Sequence, residues 1–388
     1  MMHLYDDEPQ ARLRSRLRSW LADAVPALPS RPPRGDARAR RAYDLGWQHS
    51  LFEAGFAGID WPVEVGGQGG TAAEQLIFLE ETAAAGAPGI GVNLVGMMHA
   101  GPTLVAMASG QLRSRLVPPI LRGEQVWCQG FSEPGAGSDL AALQTRAVRD
   151  GSGEDADYLI TGQKVWSTNA HVADWCEMVV RTEHGSTGHA GLSWLAVPMD
   201  SPGIEVRPIR TIDGGADFCE VFLDEVRCPA AHRVGAEGDG WRVAMATLTQ
   251  ERLLAFTGDL IDATRLADQL AHRLAGDRRA EEEIGLVKAQ LASAWALLRR
   301  NVSASAYGQA PRFSVSTFKL GFSRLANRLG ALAAPVAVAG LGGPEPEWAA
   351  ETLDKRLWFF ATEIAGGTSQ IQRDIIAERL LALPRSGR

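Results

Sequence analysis

The sequence predicts an α+β protein in which a β-rich middle segment lies between two helical segments. Residues 1–123 are rich in Ala and Leu with helical periodicity. Residues 124–236 hold short runs of β-branched and aromatic residues separated by turn residues, and helical periodicity returns over 237–388. We therefore expect an N-terminal helical domain, a compact antiparallel β domain and a C-terminal domain of the four-helix type, with these bounds.

Glycines and prolines set the expected helix ends in the N-terminal segment. The run DLGWQHSLFEAGFAGIDWP predicts a helix that ends at Gly55 or Gly58. The run GPTLVAMASGQLRSRLVPPILRGE predicts two short helices, broken at Gly110 and at Pro118–Pro119.

Five runs in the middle segment predict strands, and five in the C-terminal segment predict helices. The strand runs are DYLITGQKVWSTN, DWCEMVVRTE, GLSWLAVPM, GIEVRPIR and DFCEVFLDEVRC. The helical runs are 241–274, 280–307, 315–341, 346–364 and 370–381.

Composition and charge narrow the function classes. The chain has 388 residues, a net charge of −7 and no Lys/Arg-rich block flanked by aromatics, so we do not expect nucleic acid as a partner. The apolar run 331–341 is too short to span a bilayer, and the polar N-terminus lacks a signal segment, which predicts a cytoplasmic protein. Four cysteines without a C-x-x-C pair predict neither a disulfide framework nor a zinc site.

Two motifs in the middle segment carry chemistry. In WCQGFSEPGAGSD, Gly135 and Gly137 allow a ligand to approach the backbone closely, and serine hydroxyls stand beside them, so the loop could cradle a phosphate or a flavin edge. In KVWSTN, Trp166 is followed by two hydroxyl side chains, which suits a flat cofactor with polar edges. Taken singly, an ordinary turn and a core tryptophan explain these motifs better.

Together, in this order and followed by GTSQIQRDIIAERLL, the motifs resemble the acyl-CoA dehydrogenase flavoprotein family over nearly the whole chain. SEPGAGSD followed by G-Q-K-x-W is specific to that family. The resemblance implies an FAD-dependent enzyme of fatty acid or steroid degradation with electron-transfer flavoprotein as electron acceptor. The stretch VNLVGMMHAGPTL is most similar to actinobacterial members that act on CoA thioesters of bulky or branched acids, including steroid side chains.

The same resemblance implies roles for particular residues. Ser138, Arg252 and Gly366 match positions that contact the substrate. The positions that match flavin-binding residues are Gln129, Phe131, Ser132, Gly137, Ser138, Trp166, Ser167, Thr168, Thr368 and Gln370.

The family's usual catalytic base is missing from its loop, because the position before Gly-Thr that commonly carries Glu is Gly366. Some members instead place the base on the helix that opens the C-terminal domain, where this chain has Glu251. Helix neighbours three and four residues away include Thr247 and Leu254, so its carboxylate should be partly desolvated, with a raised pKa. A buried Glu paired with an Arg is the structural alternative. We expect Glu251 to take the α-proton while the backbone N–H of Gly366 binds the thioester carbonyl.

A second departure concerns assembly. Most members carry an Arg-x-x-Phe-Gly stretch that reaches the FAD of a neighbouring subunit, whereas this chain reads RLADQLAHRLAGDRRA over 265–280. A homo-oligomer, dimer or tetramer, and a hetero-oligomer in which a related subunit supplies the Arg both stay open. So do a non-catalytic partner subunit, an oxygen-using flavin enzyme, and an acyl-carrier-protein thioester in place of CoA.

Other polar residues carry no site in the sequence. His99, His171 and His232 show no metal-ligand spacing, so we expect no metal. We expect Lys288, Lys319 and Lys355 at solvated helix positions, with contact of one of them to a CoA phosphate as the alternative.

Overall fold

The computed structural model describes residues 6–153, 155–251, 254, 256–306 and 314–384, without the side chains at 249–251, 306 and 314. These residues form two compact units. One unit comprises Met1–Arg18, Ala72–Ala84 and Arg252–Arg388, and we call it the helical unit. The other comprises Ser19–Thr71 and Ala85–Glu251, and we call it the sheet unit.

The helices and strands alternate in blocks along the chain. The helices are α1 (Glu8–Ala24), α2 (Ala37–Glu53), α3 (Ala72–Ala84), α4 (Gly101–Met107), α5 (Gly110–Leu121), α6 (Gly240–Glu251), α7 (Thr257–Arg273), α8 (Arg278–Ala306), α9 (Ser314–Gly340), α10 (Pro346–Ala361) and α11 (Ser369–Ile375). The strands are β1 (Trp127–Gly130), β2 (Arg146–Arg149), β3 (Tyr158–Thr168), β4 (Trp175–Arg181), β5 (Leu192–Pro198), β6 (Ile204–Ile209), β7 (Phe218–Cys228) and β8 (Arg233–Val234).

The core of the helical unit forms where α7, α8 and α9 pack together. On α7, buried residues recur every three or four positions, from Leu260 through Leu266 to Leu270, so one face of the helix is apolar. This face packs in one cluster with Val287 of α8 and Phe322 of α9. Full burial of each large apolar side chain contributes roughly 1.5–3 kcal/mol, so the cluster is the main source of this unit's stability.

The strands of the sheet unit form one sheet in the order β6-β7-β3-β2-β4-β5-β8, with β1 also paired to β4. All five runs predicted as strands are strands, and the helical, β, helical order is confirmed. The sheet is not wholly antiparallel, however, because β1 and β2 each pair with β4 in parallel. The chain reverses once between β2 and β3 and again before β4, so β4 runs in the direction of β2.

Two expected helix boundaries were wrong. The run 241–274 is not one helix, because Leu254 and Phe256 lie in a turn and α7 begins at Thr257. Pro118 and Pro119 do not break α5, which continues to Leu121. Its Leu116, Val117 and Ile120 are at most 1% exposed, and their burial offsets the cost of the two missing backbone donors.

Candidate active site

Trp166 forms an exposed aromatic surface on the sheet unit. It lies at an irregularity in the pairing of β3 with β7, between Lys164 and Ser167, and its backbone is left-handed with φ 61°. Such a φ is a rare conformation for a bulky residue. Trp166 is 56% exposed, although its indole packs edge-on against Phe218 at 6.0 Å between ring centroids. The strained backbone therefore turns a large flat ring toward solvent.

The loop that follows β1 is held in place by a buried lysine. Lys164 is 0% exposed, and its Nζ donates to Phe131 O at 3.2 Å, to Val179 O at 2.7 Å and to Glu133 Oε1 at 2.8 Å. The other end of the Glu133 carboxylate accepts a 2.6 Å hydrogen bond from Gln144 N. Lys164 therefore ties the glycine-rich loop, through Phe131 and Glu133, to β3 and β4.

Burial and charge oppose each other in this ion pair. Burial lowers the pKa of Lys164, and the Glu133 carboxylate works against that shift. Burial also acts to raise the pKa of Glu133, but the Lys164 ammonium together with hydrogen bonds from Thr145 and Gln144 holds it below its ordinary value. Each charged partner thus stabilises the charged form of the other against the cost of burial.

The predicted flavin-binding residues of the sheet unit fit a flat cofactor with anionic groups. A Cβ built on Gly135 or Gly137 meets nothing within 4 Å, so the loop faces open space there. Ser138 is exposed. The buried Ser167 Oγ has no hydrogen-bond partner among the described residues, which leaves a donor for a bound group. An exposed indole, an open loop and an unused hydroxyl are what a flavin ring and its phosphates require.

A largely buried polar cluster of Gln129 on β1, Glu177 on β4 and His99 in the helical turn before α4 was not expected from the sequence. Gln129 and Glu177 are directly opposite across the strand pair, and Gln129 Nε2 donates to Glu177 Oε1 at 2.7 Å. His99 Nδ1 lies 2.9 Å from the same Gln129 nitrogen and 3.4 Å from Glu177 Oε1. The amide group of Gln129, predicted to line the flavin, thus has partners within the protein. Strand register pairs Gln129 with Glu177, His99 comes from the helical turn Gly96–Ala100, and no spacing in the sequence signals this contact.

The helix α6 carries the predicted base at its end. Thr247, four residues before Glu251 and on the same helix face, is fully buried, and its hydroxyl lies 2.7 Å from that of Thr103 on α4. The face of α6 that leads to Glu251 is therefore packed against the unit's interior. The side chain of Glu251 and the whole of Arg252 lie outside the described residues, so both roles stay predictions.

The C-terminal loop of the helical unit has a backbone that needs glycine. Gly366 and Gly367 have φ values of 61° and 90°, and a Cβ on Gly367 would lie 2.8 Å from Gln372 Nε2. Thr368 caps α11 by accepting a hydrogen bond from Ile371 N at 3.2 Å, and Gln370 is exposed. The predicted site residues thus fall into two sets, one on each unit.

The expectation for Lys319 was wrong. It is 3% exposed, and its ammonium donates to Gly367 O within the C-terminal loop. Its partner lies 48 residues further along the chain, so helical periodicity could not reveal the contact.

The described residues hold no group of three or more His, Cys, Asp or Glu side chains that could bind a metal ion. All four cysteines are buried and free. No helix in the described parts of the chain is long and apolar enough to cross a membrane.

Comparison with known proteins identifies the family. Sequence profiles of the acyl-CoA dehydrogenase N-terminal, middle and C-terminal domains match residues 7–124, 128–226 and 238–381. The acyl-CoA dehydrogenase IpdE1 of Mycobacterium tuberculosis is 41% identical over 392 residues, covering 97% of this chain and 98% of IpdE1. The chain therefore belongs to the acyl-CoA dehydrogenase family, whose members are in general FAD-dependent flavoproteins, and it is an acyl-CoA dehydrogenase.

Other relatives are close in sequence or structure. FadE34 of Mycobacterium tuberculosis is 39% identical over 87% of this chain and 46% of its own length. The ChsE4-ChsE5 complex from Mycobacterium tuberculosis matches with a TM-score of 0.83 and 30% identity, over 99% of this chain and 100% of the solved chain. The Tcur3481-Tcur3483 steroid acyl-CoA dehydrogenase matches with a TM-score of 0.84 and 26% identity, over 99% and 100% of the two chains.

Proposed function

We propose that this chain binds FAD and removes the α and β hydrogens of a branched or bulky acyl-CoA thioester, such as one with a steroid side chain, to give the trans-2-enoyl-CoA. Two observations support it most: position 366 is a glycine in a left-handed backbone, and the chain has a glutamate as the last residue of α6. The loop has no carboxylate where the family commonly keeps its base, and Glu251 supplies one at the alternative position.

The chain's own residues have distinct roles in this proposal. The flavin-binding residues in this proposal are Trp166, Ser167 and Thr168, the loop of Phe131, Ser132, Gly137 and Ser138, and the C-terminal Thr368 and Gln370. FAD, when bound, supplies the acceptor for the β-hydride. Glu251 removes the α-proton, Arg252 and Ser138 orient the thioester, and the N–H of Gly366 stabilises the enolate oxygen.

The absence of a side chain at 366 also bears on the substrate. A glycine leaves volume where other members have a carboxylate, and this volume suits a branched or polycyclic acyl group. Among the similar proteins, two solved structures, Tcur3481-Tcur3483 and its variant, are named a steroid acyl-CoA dehydrogenase. The proposed substrate class is therefore bulky rather than straight-chain, with electron-transfer flavoprotein as the electron acceptor.

A second candidate is a half-site or non-catalytic subunit of a hetero-oligomer. Residues 265–280 lack the Arg-x-x-Phe-Gly stretch that reaches the FAD of a neighbouring subunit in most members of the family, and this absence favours the half-site candidate. Two similar solved structures carry paired names, ChsE4-ChsE5 and Tcur3481-Tcur3483. In this candidate a related subunit supplies the missing Arg. Acyl-carrier-protein thioesters stay open as substrates because they present the same phosphopantetheine arm.

The test is the visible flavin spectrum of the purified protein, followed anaerobically on addition of short, branched and steroid acyl-CoA thioesters. The proposal expects a yellow protein that branched or steroid thioesters bleach faster than short straight ones. Bleaching by short chains alone would overturn the substrate class. A colourless protein that becomes yellow and active only with a related subunit would establish the half-site candidate.

A further inference from the structure

A stripe of donors on α9 binds backbone carbonyls at the end of α10 and in the loop beyond it. Lys319, Ser323 and Asn327 follow one another at four-residue spacing, so they share one face of α9. Ser323 Oγ donates to Thr362 O at 2.7 Å, and Asn327 Nδ2 donates to Phe359 O at 2.8 Å. These two donors satisfy carbonyls that a helix end leaves without intrahelical partners.

Lys319 extends this stripe into the glycine loop. Its Nζ donates to Gly367 O, and it lies 5.7 Å from the centre of the Phe256 ring. From the other side, Gln372 is 1% exposed, and its Nε2 donates to Gly366 O at 3.1 Å and to Gly367 O at 3.3 Å. Two consecutive carbonyls are thus bound by buried donors. A buried ammonium is costly to desolvate, so packing alone does not account for a lysine whose ammonium binds a loop carbonyl.

The orientation of those carbonyls fixes the orientation of the next amides. In a planar trans peptide the C=O and the following N–H point in opposite directions. Because the carbonyls of Gly366 and Gly367 point toward Gln372 and Lys319, the N–H groups of Gly367 and Thr368 point away from those side chains. The left-handed φ values of Gly366 and Gly367 are part of this same backbone conformation.

We propose that Lys319, together with Gln372, is a positioning residue for the reaction: by binding the Gly366 and Gly367 carbonyls it holds the Gly366–Thr368 backbone in one conformation, and through the left-handed φ of Gly366 this also fixes the direction of the Gly366 N–H that the proposed function assigns to the thioester oxygen. This inference rests on the proposed function for the role of the loop, but the contacts that position the loop do not depend on it. Lys319 touches neither substrate nor flavin in this proposal. Its effect passes through the backbone.

The test compares Lys319→Met with Ser323→Ala in the purified flavoprotein. Both changes remove one buried donor from the same stripe, but only the first removes a donor to the loop. We expect Lys319→Met to raise hydrogen–deuterium exchange of the loop amides about tenfold or more and to lower kcat at least about tenfold, with KM changed much less. With a 3-thia acyl-CoA analogue, which can lose its α-proton but has no β-hydride, it should also weaken the long-wavelength absorption of the enolate on the flavin.

Ser323→Ala should lower thermal stability while leaving loop exchange, the analogue band and kcat close to wild type. If Lys319→Met behaves like Ser323→Ala in loop exchange and in kcat, the inference is wrong. If no thioester reduces the flavin of the wild type, the proposed function fails, and loop exchange alone then decides the positioning role. Should Lys319→Met not fold, Gln372→Leu removes the second donor to the loop and is judged by the same outcomes.

Discussion

At the residue scale, the buried Lys164–Glu133 pair predicts a large stability effect. Lys164→Met should destabilise the protein by about 3–5 kcal/mol, because it leaves the Glu133 carboxylate buried without its partner. Adding Glu133→Gln should recover part of the loss. Chemical unfolding measures both, with Arg207→Met as control, since Arg207 pairs with Glu205 on the surface. An equal effect of the exposed and buried changes would contradict this account.

The contribution of Asp259 to the free energy of unfolding should depend on pH with a sign opposite to that of most carboxylates. Burial raises its pKa to about 6, opposed by a 2.7 Å hydrogen bond from the Trp358 indole and reinforced by Asp262. The folded state therefore binds a proton that the unfolded state, with a pKa of about 3.9, releases. Stability from this group is present below pH 4 and is lost as the pH rises to 6. The side chain is only half-buried, so the loss should be about 1–2 kcal/mol.

The pH effect is measured as the difference between wild type and Asp259→Asn. A difference is needed because other carboxylates, whose pKa values are lowered, make the unfolding free energy change with pH in the opposite direction. The difference in unfolding free energy between wild type and Asp259→Asn should shift against the wild type between pH 4 and pH 6. A difference that stays constant over this range would show that Asp259 titrates normally.

Single residues also show what sequence reasoning misses. Glu251, Gly366 and Trp166 were singled out because they lie in or beside local motifs. Lys319 and the His99–Gln129–Glu177 cluster were missed because each depends on partners at least 30 residues apart. A lysine on an amphipathic helix is usually solvated, and only the packing of α9 against the loop overrides that tendency. The four-residue spacing of Lys319, Ser323 and Asn327 was the one available signal.

At the element scale, the irregularity in β3 predicts an unusual ranking of substitutions at Trp166. Because φ is 61° there, glycine should be tolerated better than alanine, by about 1 kcal/mol of unfolding free energy. Both substitutions remove the same half-exposed ring, so the difference in unfolding free energy between the two variants comes from the backbone conformation. Both should weaken flavin binding. Trp166→Ala being as stable as Trp166→Gly in chemical unfolding would mean that the left-handed backbone is not retained.

The elements themselves were largely predictable. Alternating β-branched and aromatic residues between glycine turns located β3, β4, β5, β6 and β7, whereas β1, β2 and β8 have at most four residues and carry too little pattern. Helical periodicity cannot show a break such as the one between α6 and α7, because apolar residues continue through it. The parallel pairings of β4 likewise depend on strand order, which local patterns do not encode.

At the scale of the whole molecule, the departures from the family pattern predict a dependence on assembly. If a related subunit supplies the missing Arg, the chain expressed alone should bind little FAD, and co-expression should raise the flavin content per chain. Size-exclusion chromatography with absorbance at the flavin and protein wavelengths measures both assembly and flavin content. If the chain expressed alone forms a homo-oligomer with one flavin in every chain, the half-site candidate is wrong and no related subunit is needed.

The central claim is that Glu251 removes the α-proton in an enzyme whose C-terminal loop has no base. The most direct measurement is the anaerobic rate of flavin reduction by a substrate thioester in Glu251→Gln, with Glu363→Gln as control, because Glu363 is the carboxylate just before the glycine loop. We expect Glu251→Gln to reduce the rate by about 100-fold or more with flavin still bound, and Glu363→Gln to keep it. A rate of flavin reduction in Glu251→Gln equal to that of the wild type would contradict this claim.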